Sequence, residues 1–209
     1  MLNKDIKIIG CKKCVALSAI IALVAAAVSV LFVGNLQVGE GFLVKGIVAL
    51  VTACVFSLLW FGWQLRAMGG FSPAVCVTFV SLVNVLVALA VSATMGEATL
   101  AGAFVAFVLS VVMCSAFFAR LAENAKQYKT MENDELASKS VNQAKGAMIM
   151  VTALVVLPMT VLGVICTVMG TASLIGFVVS AVVSAFVCLF TCLDVAPNLW
   201  VVLCQKKVK

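Results

Sequence analysis

The chain has 209 residues, 65% of them apolar and 11% charged, and a mean hydropathy of +1.25. A soluble domain is roughly half apolar and about a quarter charged, so this composition excludes one and defines an integral membrane protein. The net charge of +6 does not point to nucleic acid, because the basic residues flank apolar segments and no aromatic-studded basic face lies between them. They read instead as topology signals and contacts to anionic membrane lipids.

The first apolar run, 15–33, follows a basic N-terminal segment, residues 1–14, that carries Lys4, Lys7, Lys12 and Lys13. The run is long enough to cross a bilayer at about 20 residues per crossing. The stretch after it offers no small-residue cleavage site, so a retained transmembrane helix is expected. The second run, 46–63, ends in the aromatic belt Trp60, Phe61 and Trp63, with Arg66 just beyond. Ser72-Pro73 marks the start of a third, 73–94, with the serine hydroxyl placed to cap free amides and proline at the first helical position. Glu97 sits in a short turn before the fourth run, 98–119. The fifth, 146–170, contains Pro158, whose ring removes a backbone hydrogen bond and predicts a kink. The sixth, 171–195, is expected to end near Pro197, and a basic tail, 201–209, closes the chain.

An all-α bundle of six transmembrane helices over residues 15–200 results. With both termini inside, the inner segments hold 13 of the 14 basic residues, and only Lys45 falls outside. The positive-inside rule therefore predicts an N-in, C-in topology.

Between the fourth and fifth runs lies the one long polar stretch inside the chain. In this connector, 120–145, Arg120, Lys126, Lys129, Lys139 and Lys145 alternate with Glu123, Glu132, Asp134 and Glu135. Leu121, Ala125, Tyr128, Leu136 and Val141 recur at helical spacing, which predicts one or two short amphipathic helices lying on the membrane surface.

Small residues recur every fourth position in two runs: Gly102, Ala106, Ser110 and Cys114 in the fourth, and Gly176, Ser180, Ser184, Cys188 and Cys192 in the sixth. Lipid supplies no hydrophobic drive for helices to associate, so such stripes are where backbones approach, and both are expected to face the bundle interior. Among polar residues within the spans, Asn84 reads as a helix-bridging hydrogen-bond donor and Asp194 as a structural or topological residue near the inner interface. No carboxylate falls at mid-membrane, where a proton- or ion-coupled transporter would carry one.

Histidine is absent, which removes the commonest metal ligand and proton shuttle. Cys54, Cys76, Cys114, Cys166, Cys188 and Cys192 lie in apolar runs and read as small apolar packing residues. Cys11 and Cys14 form a CxxC that would suit a redox or metal pair, but no second pair accompanies it. No metal, cofactor or catalytic residue is predicted, since no nucleophile, base and orienting group occur together.

The connector resembles a known family. Phe118-Ala119-Arg120-Leu121-Ala122-Glu123-Asn124, then Lys126 and Lys129, then Glu135-Leu136-Ala137-Ser138-Lys139-Ser140-Val141-Asn142-Gln143 is similar in order and spacing to the F-D-R-I-R-E-N and E-A-L-N-x-S-I-N-Q pattern of SecF proteins. These work with SecD beside the bacterial Sec translocon. Phe61-Gly62-Trp63-Gln64-Leu65-Arg66, Asn84, Gly96-Glu97-Ala98 and Ala196-Pro197 also resemble family landmarks, and the likeness spans about residues 46–200. The chain departs from the pattern at Val112, Met113 and Ala119, where the family has polar residues, and residues 34–45 leave no room for the family's extracytoplasmic domain.

The resemblance implies a bundle like half of a resistance-nodulation-division (RND) transporter in the bacterial inner membrane. It implies a SecD-like partner and a SecY-type translocon, and no catalysis. Phe118, Arg120, Glu123, Asn124, Asn142 and Gln143 would then fix the inner ends of the fourth and fifth helices and serve assembly. A stand-alone small-molecule exporter on the same helical core is the alternative; it would need a polar cavity.

Overall fold

A computed structural model describes residues 6, 8, 12–32, 52, 55, 58, 59, 62, 63, 71–95, 100–171 and 174–205. Among them the chain is helical between short turns, without strands. The helices are α1 (Lys12–Phe32), α2 (Ser72–Thr94), α3 (Leu100–Gln127), α4 (Asn133–Val168), α5 (Ile175–Phe190) and α6 (Ala196–Gln205), with a π-helical turn, Thr191–Val195, joining the last two. Among the described residues five segments are long and apolar enough to cross a membrane, α5 and α6 counting as one through the π turn. The second predicted run lies largely outside the described residues; those described within it, at 52, 55, 58, 59, 62 and 63, are helical. Trp60, Phe61, Arg66, Gly96 and Glu97 also lie outside the described residues.

Length decides the fate of the connector. At 1.5 Å per residue, the 28 residues of α3 extend about 42 Å and the 36 of α4 about 54 Å. The hydrocarbon core is only about 30 Å thick, so these helices continue well past it. Most of the connector is therefore not a separate surface helix: residues 120–127 end α3, 133–145 begin α4, and only 128–132 form the turn. Part of the amphipathic pattern packs on the rest of the bundle, while Ala125 and Tyr128 stay exposed. Leu121, Leu136, Ala137 and Val141 all belong to the main buried cluster.

The turns explain where the helices stop. After α4, Gly170 takes φ +68°, the left-handed conformation in which a side chain is strained. Thr171 N–H then reaches back to Cys166 O at 3.0 Å, closing a Schellman-type end. α2 begins at Ser72 with Pro73 in its first turn, but the N-cap is Phe71, and no side chain caps it. Ser72 is thus one residue too late to be the cap that its hydroxyl suggests. α4 runs through Pro158 as one continuous helical element.

The last span also continues past its predicted end. Ala196 N–H bonds Thr191 O, five residues back, so the turn widens immediately before Pro197. Pro197 then lies in the first turn of α6, where a missing N–H costs little.

The middle of the bundle is α2, α3 and α5, which all pack on one another, while α1 lies on α2 and α4 on α3 and α5. Half of the most apolar stretch of each central span is buried, against 17% of that stretch in α1 and 11% in α4. The outer helices present Leu17, Leu23, Val24, Met150, Leu154, Leu157 and Val161, a wholly aliphatic surface that suits acyl chains. Sequence and structure thus agree on an all-α, multi-pass membrane protein.

Candidate functional site

The two small-residue stripes meet. Ser110 Oγ lies 3.4 Å from Cys188 Sγ, and Cys114 Sγ lies 3.5 Å from Cys192 Sγ. Gly102 faces Ser180, where an added Cβ would come within 2.9 Å of the serine Cβ. Each of these pairs has the same offset of 78 residues. A constant offset means that α3 and α5 run parallel and in register, turn for turn, as two helices separated by one return crossing must. Ala106, Ser110, Cys114, Ser180, Ser184, Cys188 and Cys192 are fully enclosed, and Gly102 and Gly176 are buried with them.

Asn84 of α2 enters this seam. Its Nδ2 donates to Ser110 Oγ at 2.8 Å and to Thr191 Oγ1 at 3.0 Å, tying three helices at one point. Thr191 Oγ1 is also 3.1 Å from Asn84 Oδ1 and 2.9 Å from Val187 O. Ser110 in turn donates to Ala106 O at 2.6 Å. A second polar contact, Ser92 Oγ to Ser180 Oγ at 3.1 Å, fastens α2 to α5 elsewhere in the seam. Both amide hydrogens of Asn84 are donated within the bundle, and its Oδ1 faces the Thr191 hydroxyl. Buried Ser81 Oγ on the same helix, and Trp200 Nε1 on α6, have no hydrogen-bond partner among the described residues.

Asp194 sits in the π turn and is half-buried. Asn198 Nδ2 donates to its carboxylate at 3.1 Å and to its carbonyl at 2.7 Å. Lys206 and Lys207, its expected neighbours, lie outside the described residues, as does Cys11 of the CxxC; Cys14 is in the first turn of α1. Among the described residues no group of three or more His, Cys, Asp or Glu is placed to hold a metal.

At the far ends of α3 and α4 is a second polar centre. Asn124, buried within the hairpin, donates through Nδ2 to Ser140 Oγ at 2.9 Å and to Gln143 Oε1 at 2.8 Å. Arg120, Glu123, Asn124, Gln127 and Gln143 line an open polar notch there. Arg120 pairs with Glu123 at 2.8 Å, but the two are three residues apart on α3 and both are more than half exposed, so they bridge nothing. Lys139 Nζ lies 3.4 Å above the Tyr128 ring and braces the turn. Phe118 is fully buried with its ring 4.8 Å from that of Phe117.

Asn142 does not reach α3. It binds the N-terminal segment: Ile6 N–H donates to its Oδ1 and its Nδ2 donates to Ile6 O, both at 3.0 Å. Ser138 Oγ accepts from Ile8 N–H at 2.9 Å. Ser138 and Ser140 belong to the connector pattern and Thr191 to the sixth run, but none of the three was expected to be a site residue. Thr191 falls one position off the sixth-run stripe, and the two serines read as helix-surface polarity until their partners are known.

Compared with protein-family models, with curated proteins and with solved structures, the chain matches none of them.

Proposed function

We propose that the chain is a SecF-like accessory subunit of a bacterial protein-export machinery, embedded in the inner membrane with six spans and both termini inside. It packs against a SecD-like partner, works beside a SecY-type translocon, and supports translocation or insertion without catalysing a reaction. The observation that carries this reading is the hairpin joint. Asn124, Ser140 and Gln143, three residues of the SecF-like pattern that lie up to 19 positions apart, meet at 2.8–2.9 Å. A pattern whose members cooperate in space is better support than one that matches only in order.

The polar notch beside that joint would be the assembly surface. The exporter alternative draws no support from the seam, because the Asn84 cluster bonds within itself and no carboxylate among the described residues joins it.

The test is gentle solubilisation of native membranes, affinity capture of this chain and identification of what accompanies it. A SecD-like protein, with or without the channel, is the expected companion; recovery of the chain alone as a defined homo-oligomer would overturn the reading. Replacing Gln143 by Ala should reduce that recovery. Full recovery with the variant would remove the notch from the interface.

A further inference from the structure

The polar notch at the α3–α4 hairpin lies at a definite depth. Leu100 and Arg120 are 20 residues apart on α3, about 30 Å, which is the thickness of the hydrocarbon core. On α4 the charged and amide residues end at Lys145 and the apolar run begins at Gly146, so Gln143 falls just outside the core as well. Arg120, Glu123 and Gln143 therefore sit in the headgroup layer, which extends about 5–7 Å beyond the core on each side.

Two apolar stripes run from the notch into the membrane. On α3, Phe104, Val108 and Val112 are exposed at four-residue spacing, and Ala119 and Glu123 continue that face. On α4, Gln143 is followed on its face by exposed Ala147, Met150 and Leu154. A molecule held in the notch thus has one end in polar surroundings and two apolar tracks below it.

The notch also carries one charge of each sign. Arg120 gives one N–H to Glu123 Oε2 at 2.8 Å and keeps its other donors, while Glu123 keeps Oε1. Asn124 spends its Nδ2 on Ser140 and Gln143, which leaves its Oδ1 as an acceptor; Gln143, whose Oε1 takes that bond, is left with its Nε2 as a donor. Among the described residues no hydrogen bond uses either of these two atoms. A purely anionic ligand would meet Glu123 and a purely cationic one Arg120, whereas a ligand with both charges satisfies both.

We propose that the notch binds the headgroup of a zwitterionic phospholipid of the phosphatidylethanolamine type. Its phosphate accepts from Arg120 and Gln143, its ammonium donates to Glu123 and Asn124 Oδ1, and its acyl chains follow the two stripes. This binding belongs to the chain by itself and does not rest on the export reading; beside a partner protein the lipid would line the shared surface.

The test uses the whole chain, purified in detergent and stripped of co-purifying lipid. It is titrated with dioleoyl phosphatidylethanolamine, phosphatidylcholine or phosphatidylglycerol, and bound lipid is counted by native mass spectrometry. One phosphatidylethanolamine per chain is expected, held about tenfold more tightly than phosphatidylcholine, whose trimethylated nitrogen has no N–H to donate. Glu123→Gln should erase that preference, and Arg120→Gln should weaken both lipids by about tenfold. Both side chains are more than half exposed, so neither variant threatens folding.

Water-soluble glycerophosphoethanolamine, the headgroup without its chains, should bind far more weakly. Binding equal to that of the lipid would remove the stripes from the site and overturn the lipid assignment. Equal affinity for the three lipids, or affinity indifferent to both substitutions, would mean unspecific boundary lipid. A preference for phosphatidylglycerol would mean a plain basic surface, and no retained lipid would mean no site; each of these overturns the proposal.

Discussion

Asn84 and Gly102 show what single residues do in a seam without water. Truncating Asn84 removes its two donated bonds and the Oδ1 that faces Thr191, yet Ser110 and Thr191 keep the carbonyls of Ala106 and Val187 as partners, so neither hydroxyl is orphaned. Hydrogen bonds between membrane helices average about 0.6 kcal/mol and reach about 1.7. Asn84→Ala is therefore expected to cost about 1–2 kcal/mol in unfolding by rising fractions of denaturing detergent, with a coupling to Ser110→Ala of about 0.5–1.7 kcal/mol in a double-mutant cycle. At Gly102 two effects compete. Alanine gains about 1 kcal/mol in helix propensity, but its Cβ would overlap the Ser180 side chain, and overpacking costs about 1–3 kcal/mol. Gly102→Ala should thus lower the same unfolding midpoint, and Ser180→Gly in that background should recover part of the loss. Recovery is partial because Ser180 also bonds Ser92.

At the scale of the element, the direct hydrogen-bonded tie between α3 and α4 is one buried amide and not the Arg120–Glu123 pair. Asn124 is 2% exposed and satisfies two groups of α4, whereas the Arg120–Glu123 pair is intrahelical and solvated. Exposed pairs of that kind are worth about 0.3–0.5 kcal/mol, while a buried amide removed from its partners costs about 1–3. Asn124→Ala should lower the thermal midpoint of the purified protein clearly, and Arg120→Ala should leave it almost unchanged. The reverse order would mean that charge, not the amide, closes the hairpin. The π turn works on the same scale. By bonding Ala196 to Thr191 it lets the chain pass a proline without ending the span, and it leaves Trp200 and Val201 in the core.

For the whole molecule, topology is the property that a simple measurement settles. The proposed topology, with both termini inside, needs an even number of crossings, and so needs the second run to add a sixth to the five long apolar segments among the described residues. A fluorescent protein fused after Lys209 should emit, and alkaline phosphatase fused at the same place should stay inactive, because each folds on only one side of the membrane. The opposite result would reverse the orientation, or remove a span. The small-residue seam gives the bundle its middle and the aliphatic surfaces of α1 and α4 give it its rim. Association by backbone proximity inside and acyl contact outside is what a solvent without hydrogen bonds demands.

Much of this was legible in residues alone. Runs of about 20 apolar residues can only be helices in lipid, since every backbone group must bond within its own segment, so α1, α2 and the inward stripes of α3 and α5 follow from composition and period. The predicted end of the fifth run fell on Gly170, whose positive φ tolerates little else. The sequence misled at Pro197, where a local rule ends the helix and a wider turn evades it, and in the connector, where Leu121, Leu136 and Val141 of the amphipathic pattern faced protein instead of lipid. What only the tertiary structure decided is which polar groups meet. Asn84 finds Thr191 across 107 residues and Asn142 finds Ile6 across 136. Such pairings depend on the parallel register of α3 with α5 and on the path of the N-terminus. Spacing along the chain carries no term for either, because a hydrogen bond is fixed by distance in space.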